Sequence, residues 1–197
     1  MTGTRDLPGR RHDPSTGTAA PAPTGTAAGD RLSPEDEAVV RAQLGRPSRG
    51  AVGVAHRCGC GSPDVVATAP RLPDGTPFPT TFYLTCPRAA SLVGTLEGGG
   101  VMREMTERLA EDDELAAGHR RAHEDYLARR AALGDVPEID GVSAGGMPGR
   151  VKCLHVLVAH ALAAGPGVSP LGDEALAALP DWGAAGPCTA PGDVRPA

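Results

Sequence analysis

Residues 143–165, SAGGMPGRVKCLHVLVAHALAAG, carry a glycine-rich loop into an apolar helical pattern, with Arg150, Lys152, Cys153 and His155 at the junction. Flexible backbone, positive charge, a thiol and an imidazole meet where a helix begins. The first N–H groups of a helix lack intrahelical acceptors and the positive end of the macrodipole lies beside them, so such a place holds an anion or favours a thiolate. In that chemistry the amides of Gly145, Gly146 and Gly149, with Arg150 and Lys152, cradle the anion. Cys153 is the nucleophile and His155 or His160 the proton shuttle. The spacing from Gly146 to Lys152 is not that of a Walker loop.

Helix geometry limits what these side chains can share. If residues 151–164 are helical, Cys153 and His160 are separated by about 10.5 Å along the axis and cannot hold one ion. Cys153 and His155 are two apart and converge only if the first turn is irregular. The competing reading is structural: Val156, Leu157, Val158 and Leu162 make a buried helix in which a cysteine is a small hydrophobe.

A second set of thiols lies earlier in the chain. Three segments with strand character, 51–56, 64–69 and 80–85, are joined by the Gly-rich connection RCGCGSP and by a polar loop with an Asp74-Gly75 turn. In an antiparallel meander the first strand ends at Cys58, the second returns from that end, and the third arrives back at Cys86. Cys58, Cys60 and Cys86 then gather at one end of the sheet, three soft ligands for Zn²⁺. Cys153, or His155 beside it, is the expected fourth ligand. Cys-x-Cys with distant partners is not a standard zinc signature, and separate inert thiols are the alternative. Cys188 receives no role, and His119 and His123 read as an exposed or packed pair beside Arg120 and Arg121.

The elements that must position these residues follow from caps and spacing. Ser33, Pro34 and acidic residues 35–37 open a helix that Gly45 and Pro47 stop after Leu44. Helices are expected over 88–96, 101–110 and 114–133, the last mostly facing water apart from a stripe of Leu115, Ala122, Tyr126 and Leu133. A short helix capped by Asp173 runs to Leu179, and Trp182 pins the end of the chain. Residues 1–30 lack the apolar content to offset their ordering entropy and read as a disordered tail before one domain over 31–190. The fold class expected is α+β: a small three-stranded antiparallel sheet with several packed helices.

Totals narrow the function further. The chain has 197 residues, a net charge of −5 and five cysteines. That charge argues against general nucleic-acid binding, which needs a basic face. No apolar run approaches the ~20 residues of a membrane span, and the polar N-terminus is not a signal peptide. The expectation is a cytoplasmic protein whose thiols are reduced or metal-bound.

The stretches LGRPSRG (44–50), TAPRLPDGTPFPTTFYLTCP (68–87), MREMTERL (102–109) and AGGMPGRVKCLHVLVAHALAA (144–164) resemble a bacterial family catalogued as domain of unknown function 501. The resemblance implies no reaction. The family's genes neighbour septum-formation and exopolyphosphatase genes, which implies at most a partner in cell division. Three functions therefore stand side by side: a small zinc-binding domain, an enzyme or binder for phosphorylated or other anionic ligands, and an interaction protein using the charged helix with Arg120, Arg121, Arg129 and Arg130.

Overall fold

Residues 154–164 form a helix with almost no polar face, and the rest of the chain is arranged to cover it. The computed structural model describes residues 28–184 and 186–189. The chain runs through β1 (Asp30–Arg31), α1 (Pro34–Leu44), β2 (Ala51–Arg57), β3 (Pro63–Thr68), β4 (Phe82–Leu84), α2 (Pro87–Gly98), α3 (Val101–Glu111), α4 (Asp113–Ala131), α5 (Leu154–Ala164) and α6 (Pro170–Ala177). The fold is α+β. The sheet is antiparallel in the order β1-β2-β3-β4, with four strands where the sequence suggested three. The added strand is two residues long and too short to have a periodicity. It pairs Asp30 with Val54 and lies so close to β2 that a Cβ on Gly53 would meet the Ala28 carbonyl oxygen at 2.1 Å. The expected tail falls largely outside the described residues, and at its last position Asp30 belongs to the sheet.

The start of α1 is as its sequence requires. Ser33 Oγ accepts from the Asp36 N–H while the Asp36 carboxylate accepts from the Ser33 N–H, and Gly45 ends the helix at φ 67°. Arg57 grips Asp36 with two hydrogen bonds of 2.7 and 2.9 Å, tying α1 to the end of β2. That guanidinium holds the Asp36 carboxyl below its ordinary range.

Strand β3 is buried along its whole length, between β2 and β4, and α5 packs across the sheet. Leu154, Leu157, Val158, Ala159, His160 and Ala161 of α5 are all buried, as expected of a helix that is apolar all round. α6 crosses α5 at Gly172, where an added Cβ would lie 2.3 Å from the Leu157 carbonyl oxygen and 2.9 Å from the Ala161 Cβ. His160 is fully buried, stacked on Phe82 with centroids 5.8 Å apart and edge-on to Tyr126 at 5.2 Å. Its Nε2 meets Asp125 Oδ1 at 2.8 Å.

α4 is more deeply set than its charge suggests. Gly118, His119, Ala122, Tyr126 and Arg130 are buried, while Leu115 and Leu133 are only partly so. Arg130 reaches the carbonyl oxygens of Ile139 and Val142, and Arg129 binds Asp125 at 2.7 Å. Two of the four arginines expected to offer a partner surface are thus spent inside the molecule, and Arg120 and Arg121 remain exposed. His119 is fully buried, and neither ring nitrogen makes a hydrogen bond of good geometry among the described residues, although the Arg150 carbonyl lies near enough to favour its charged form.

Two predictions follow from this packing. Gly172→Ala should cost about 1–3 kcal/mol by forcing α5 and α6 apart, read as a lower urea midpoint with unchanged slope. Burial pushes the His119 pKa down, helped by His123 and His160 and opposed too weakly by the Arg150 carbonyl. The unfolded chain therefore binds this proton more readily, and stability that is complete above the unfolded value of about 6.5 falls as the pH drops below it. Thermal melts of His119→Leu should lose less stability between pH 7 and 5.5 than those of the parent protein; an equal loss assigns the acid sensitivity to other groups.

Candidate functional site: a four-cysteine cluster and a neighbouring cleft

The antiparallel order of β2, β3 and β4 delivers Cys58 and Cys86 to the same end of the sheet. Cys58 follows β2 at the hairpin tip, where its N–H donates to the Ser62 carbonyl at 3.0 Å and its carbonyl accepts from the Gly61 N–H at 2.8 Å. This tight turn swings Cys60 back over Cys58, and the Cys60 N–H points at the Cys58 sulfur, 3.4 Å away. Cys86 sits two residues beyond β4, at the N-terminus of α2, the helix end whose dipole suits negative charge.

The fourth sulfur belongs to Cys188. Its Sγ lies 3.4 Å from that of Cys58, 3.3 Å from that of Cys60 and 3.3 Å from that of Cys86. The chain reaches this position after α6 by passing Gly183 over Gly59, where a Cβ on Gly183 would be 3.0 Å from the Gly59 nitrogen. Arg88 Nη1 then donates to the Gly186 carbonyl oxygen at 2.7 Å and fastens the segment to α2. Trp182 packs against the core as expected, beside Pro87, Arg88 and Leu92.

These separations are informative. A disulfide requires about 2.05 Å between sulfurs, and all five cysteines are free. Two thiolates on a tetrahedral zinc at ~2.3 Å are about 3.8 Å apart, a few tenths of an ångström beyond what is seen. Cys58, Cys60 and Cys188 form one group able to hold a metal, and Cys86 borders it through Cys188. Burial pushes the Cys58 and Cys188 thiols up from their ordinary range. For Cys60 burial acts in the same direction but is outweighed by hydrogen bonds from Cys58 and Ser62, which bring it down to about 6.

Cys153 is not with the other cysteines. It is the residue before α5, with φ −155° and ψ 114°, so the helix begins at Leu154 and not at residue 151. This extended residue is the irregularity that lets Cys153 and His155 converge, and the two form a second group with Glu97 of α2. Glu97 Oε1 accepts from the Leu154 N–H at 2.6 Å and lies 3.1 Å from His155 Nδ1, while His155 Nε2 is 3.1 Å from the Ala90 carbonyl oxygen. With an acceptor at each ring nitrogen His155 is held as an imidazolium. Its pKa is raised to about 9, first by its hydrogen bond with Cys153, against desolvation, and then by Glu97. Burial works against ionisation of Glu97, but hydrogen bonds from His155 and Leu154 prevail and keep its carboxyl below the usual range.

Around the start of α5 the protein supplies its own acceptors for four backbone amides. Glu97 takes the first amide of α5, Thr106 Oγ1 accepts from the Val151 N–H at 3.0 Å, and the Arg150 and Lys152 amides donate to the Gly146 and Gly145 carbonyls. Gly149, Arg150 and Lys152 are exposed. A cleft of about 520 Å³ opens beside Cys153 and His155, and neither Arg150 nor Lys152 lines it. His160 does not line this cleft; it is buried behind Phe82, on which it stacks, and edge-on to Tyr126.

A family model described as Protein of unknown function (DUF501) matches residues 54–177. The chain belongs to this family. The DUF501 match contains Cys58, Cys60, Cys86, Glu97, Cys153 and His155, and Cys188 lies beyond it. No curated protein and no solved structure matches the chain. Among the described residues of this DUF501 protein, no helix is long and apolar enough to cross a membrane.

Sequence reasoning missed Cys188 and Glu97. Cys188 stands in a Gly/Pro-rich stretch with no element to give it a direction, although the need for a fourth soft ligand left only it and Cys153. Glu97 lies 57 residues from Leu154, before three glycines, in no recognisable motif. Glu97→Ala, which strips the Leu154 amide of its charged acceptor, should lower unfolding free energy by about 1–3 kcal/mol, measured by urea denaturation; an unchanged midpoint would show that water replaces the carboxylate at no cost.

Proposed function

We propose that the protein is a zinc-binding domain in which Cys58, Cys60, Cys86 and Cys188 hold a structural metal ion. The single observation that carries this reading is the position of Cys188 Sγ, within 3.3–3.4 Å of three other sulfurs drawn from two strand ends and a hairpin tip. Four thiols gathered in one corner of the fold are the donor set that Zn²⁺ takes as thiolates in closed tetrahedral geometry, where it contributes folding energy directly. The Cys60 N–H directed at the Cys58 sulfur supports the same reading, since hydrogen bonds to ligating atoms orient them and offset their charge. In this role the ion fastens the segment through Cys188 across the sheet end and leaves α5 and its cleft on a rigid base.

Elemental mass spectrometry of protein purified without a histidine tag tests this. Cys188→Ser should contain one zinc equivalent fewer than the parent protein and should melt about 10 °C lower, the size expected for losing roughly 3 kcal/mol in a domain of this length. Equal zinc in the two proteins, or four freely titrating thiols in a metal-free parent, would falsify the assignment.

A further inference from the structure

The start of α5 has a second set of donors that the four-cysteine cluster does not use. One ligand atom from each of Glu97, Cys153 and His155 lies within 4.8 Å of the other two. The 3.1 Å between His155 Nδ1 and Glu97 Oε1 is close to the about 3.4 Å expected of two ligands on a tetrahedral zinc at ~2.1 Å. Both ligands are also held from behind. The Ala90 carbonyl accepts from Nε2–H, which turns the Nδ1 lone pair toward the cluster, and the Leu154 N–H holds the carboxylate oxygen. Outer partners of this kind, a carbonyl behind a histidine and a donor behind a carboxylate, orient metal ligands and raise their affinity.

We propose that Glu97, Cys153 and His155 form a second metal site, distinct from the four-cysteine cluster and open to the adjoining cleft. A thiolate, an imidazole and a carboxylate suit Zn²⁺, and three protein ligands with an open fourth position are the arrangement of catalytic zinc. The ion takes the place of the proton between Nδ1 and Oε1. Its open position faces the cleft of about 520 Å³, where apolar side chains such as Leu44 and Leu84 meet the polar groups of Gln43, Thr80, Tyr83 and Thr85, with no lysine or arginine in the lining. The ligand class is therefore an uncharged molecule with an apolar body that offers one oxygen to the metal. The cluster ion is enclosed by thiolates; this one exchanges its outer ligand.

The test uses the full chain, stripped with a chelator and refilled with Co²⁺. The parent should bind one equivalent more than Cys153→Ala or His155→Ala, and acetohydroxamate should shift its visible cobalt spectrum. Glu97→Gln keeps an acceptor for the Leu154 amide, so it preserves the helix start, and it should weaken Co²⁺ at this site by at least ~10-fold. Cys188→Ser should lose the cluster ion yet keep the acetohydroxamate response, which separates failure of one site from failure of the other. Equal cobalt content in the parent, Cys153→Ala and His155→Ala, or a parent spectrum that acetohydroxamate leaves unmoved, overturns the proposal.

Discussion

A helix with no polar face has to be covered on every side, and α5 imposes that constraint on the whole domain. The sheet covers one side through Phe82 and Leu84, α6 another through the bare backbone at Gly172, and α2 a third. α5 reaches the surface only in part, through His155 and Val156 in its first turn and Leu162, Ala163 and Ala164 in its last. Its first amide, on buried Leu154, is met by Glu97, a side chain from α2, so the closing of the core and the capping of its central helix are one event. Cys153 and His155 stand at the boundary between core and solvent because α5 emerges there.

Strand parity places the other set of thiols. Antiparallel neighbours alternate in direction, so the first and third strands of a meander finish at the same end of the sheet, on either side of the second, which finishes at the opposite end. Cys58 and Cys86 follow those two strand ends, and the turn from Cys58 to Ser62 adds Cys60. Electrostatics favours the corner too: the N-terminus of α2 begins there and presents its positive end to the sulfurs.

Much of this was legible in the residues. Ser33 with Asp36, Gly45 and the Gly-rich hairpin act locally, within a few residues, and local signals determined α1 and the β2–β3 turn. Direction along the meander was also enough to send Cys58, Cys60 and Cys86 to one end of the sheet, where Cys86 meets the other two through Cys188. What could not be read was any contact made by chain without periodicity. The assignment of Cys153 as the fourth sulfur failed because a helix start looked like a better ligand platform than a Gly/Pro stretch, yet the latter has the freedom to fold back over Gly59. The depth of α4 was misread for a related reason. Arg130 counted as surface in the pattern and His119 as either exposed or packed, but backbone carbonyls after the helix satisfy the first and close packing encloses the second.

The passage of Gly183 over the hairpin tip, on the way to Cys188, has a topological meaning. Cys58 and Cys188 are separated by 130 positions, and Cys86 and Cys188 by 102. An ion shared among them would act as a cross-link closing loops longer than most disulfides close, and a tie across a loop of roughly 100 residues removes about 5 kcal/mol of freedom from the unfolded chain. Within those loops lie α2 through α6, including the helix that everything else covers. The segment that carries no regular structure of its own would thus be the buckle of the domain, limiting how far the other elements can separate even when their packing is lost.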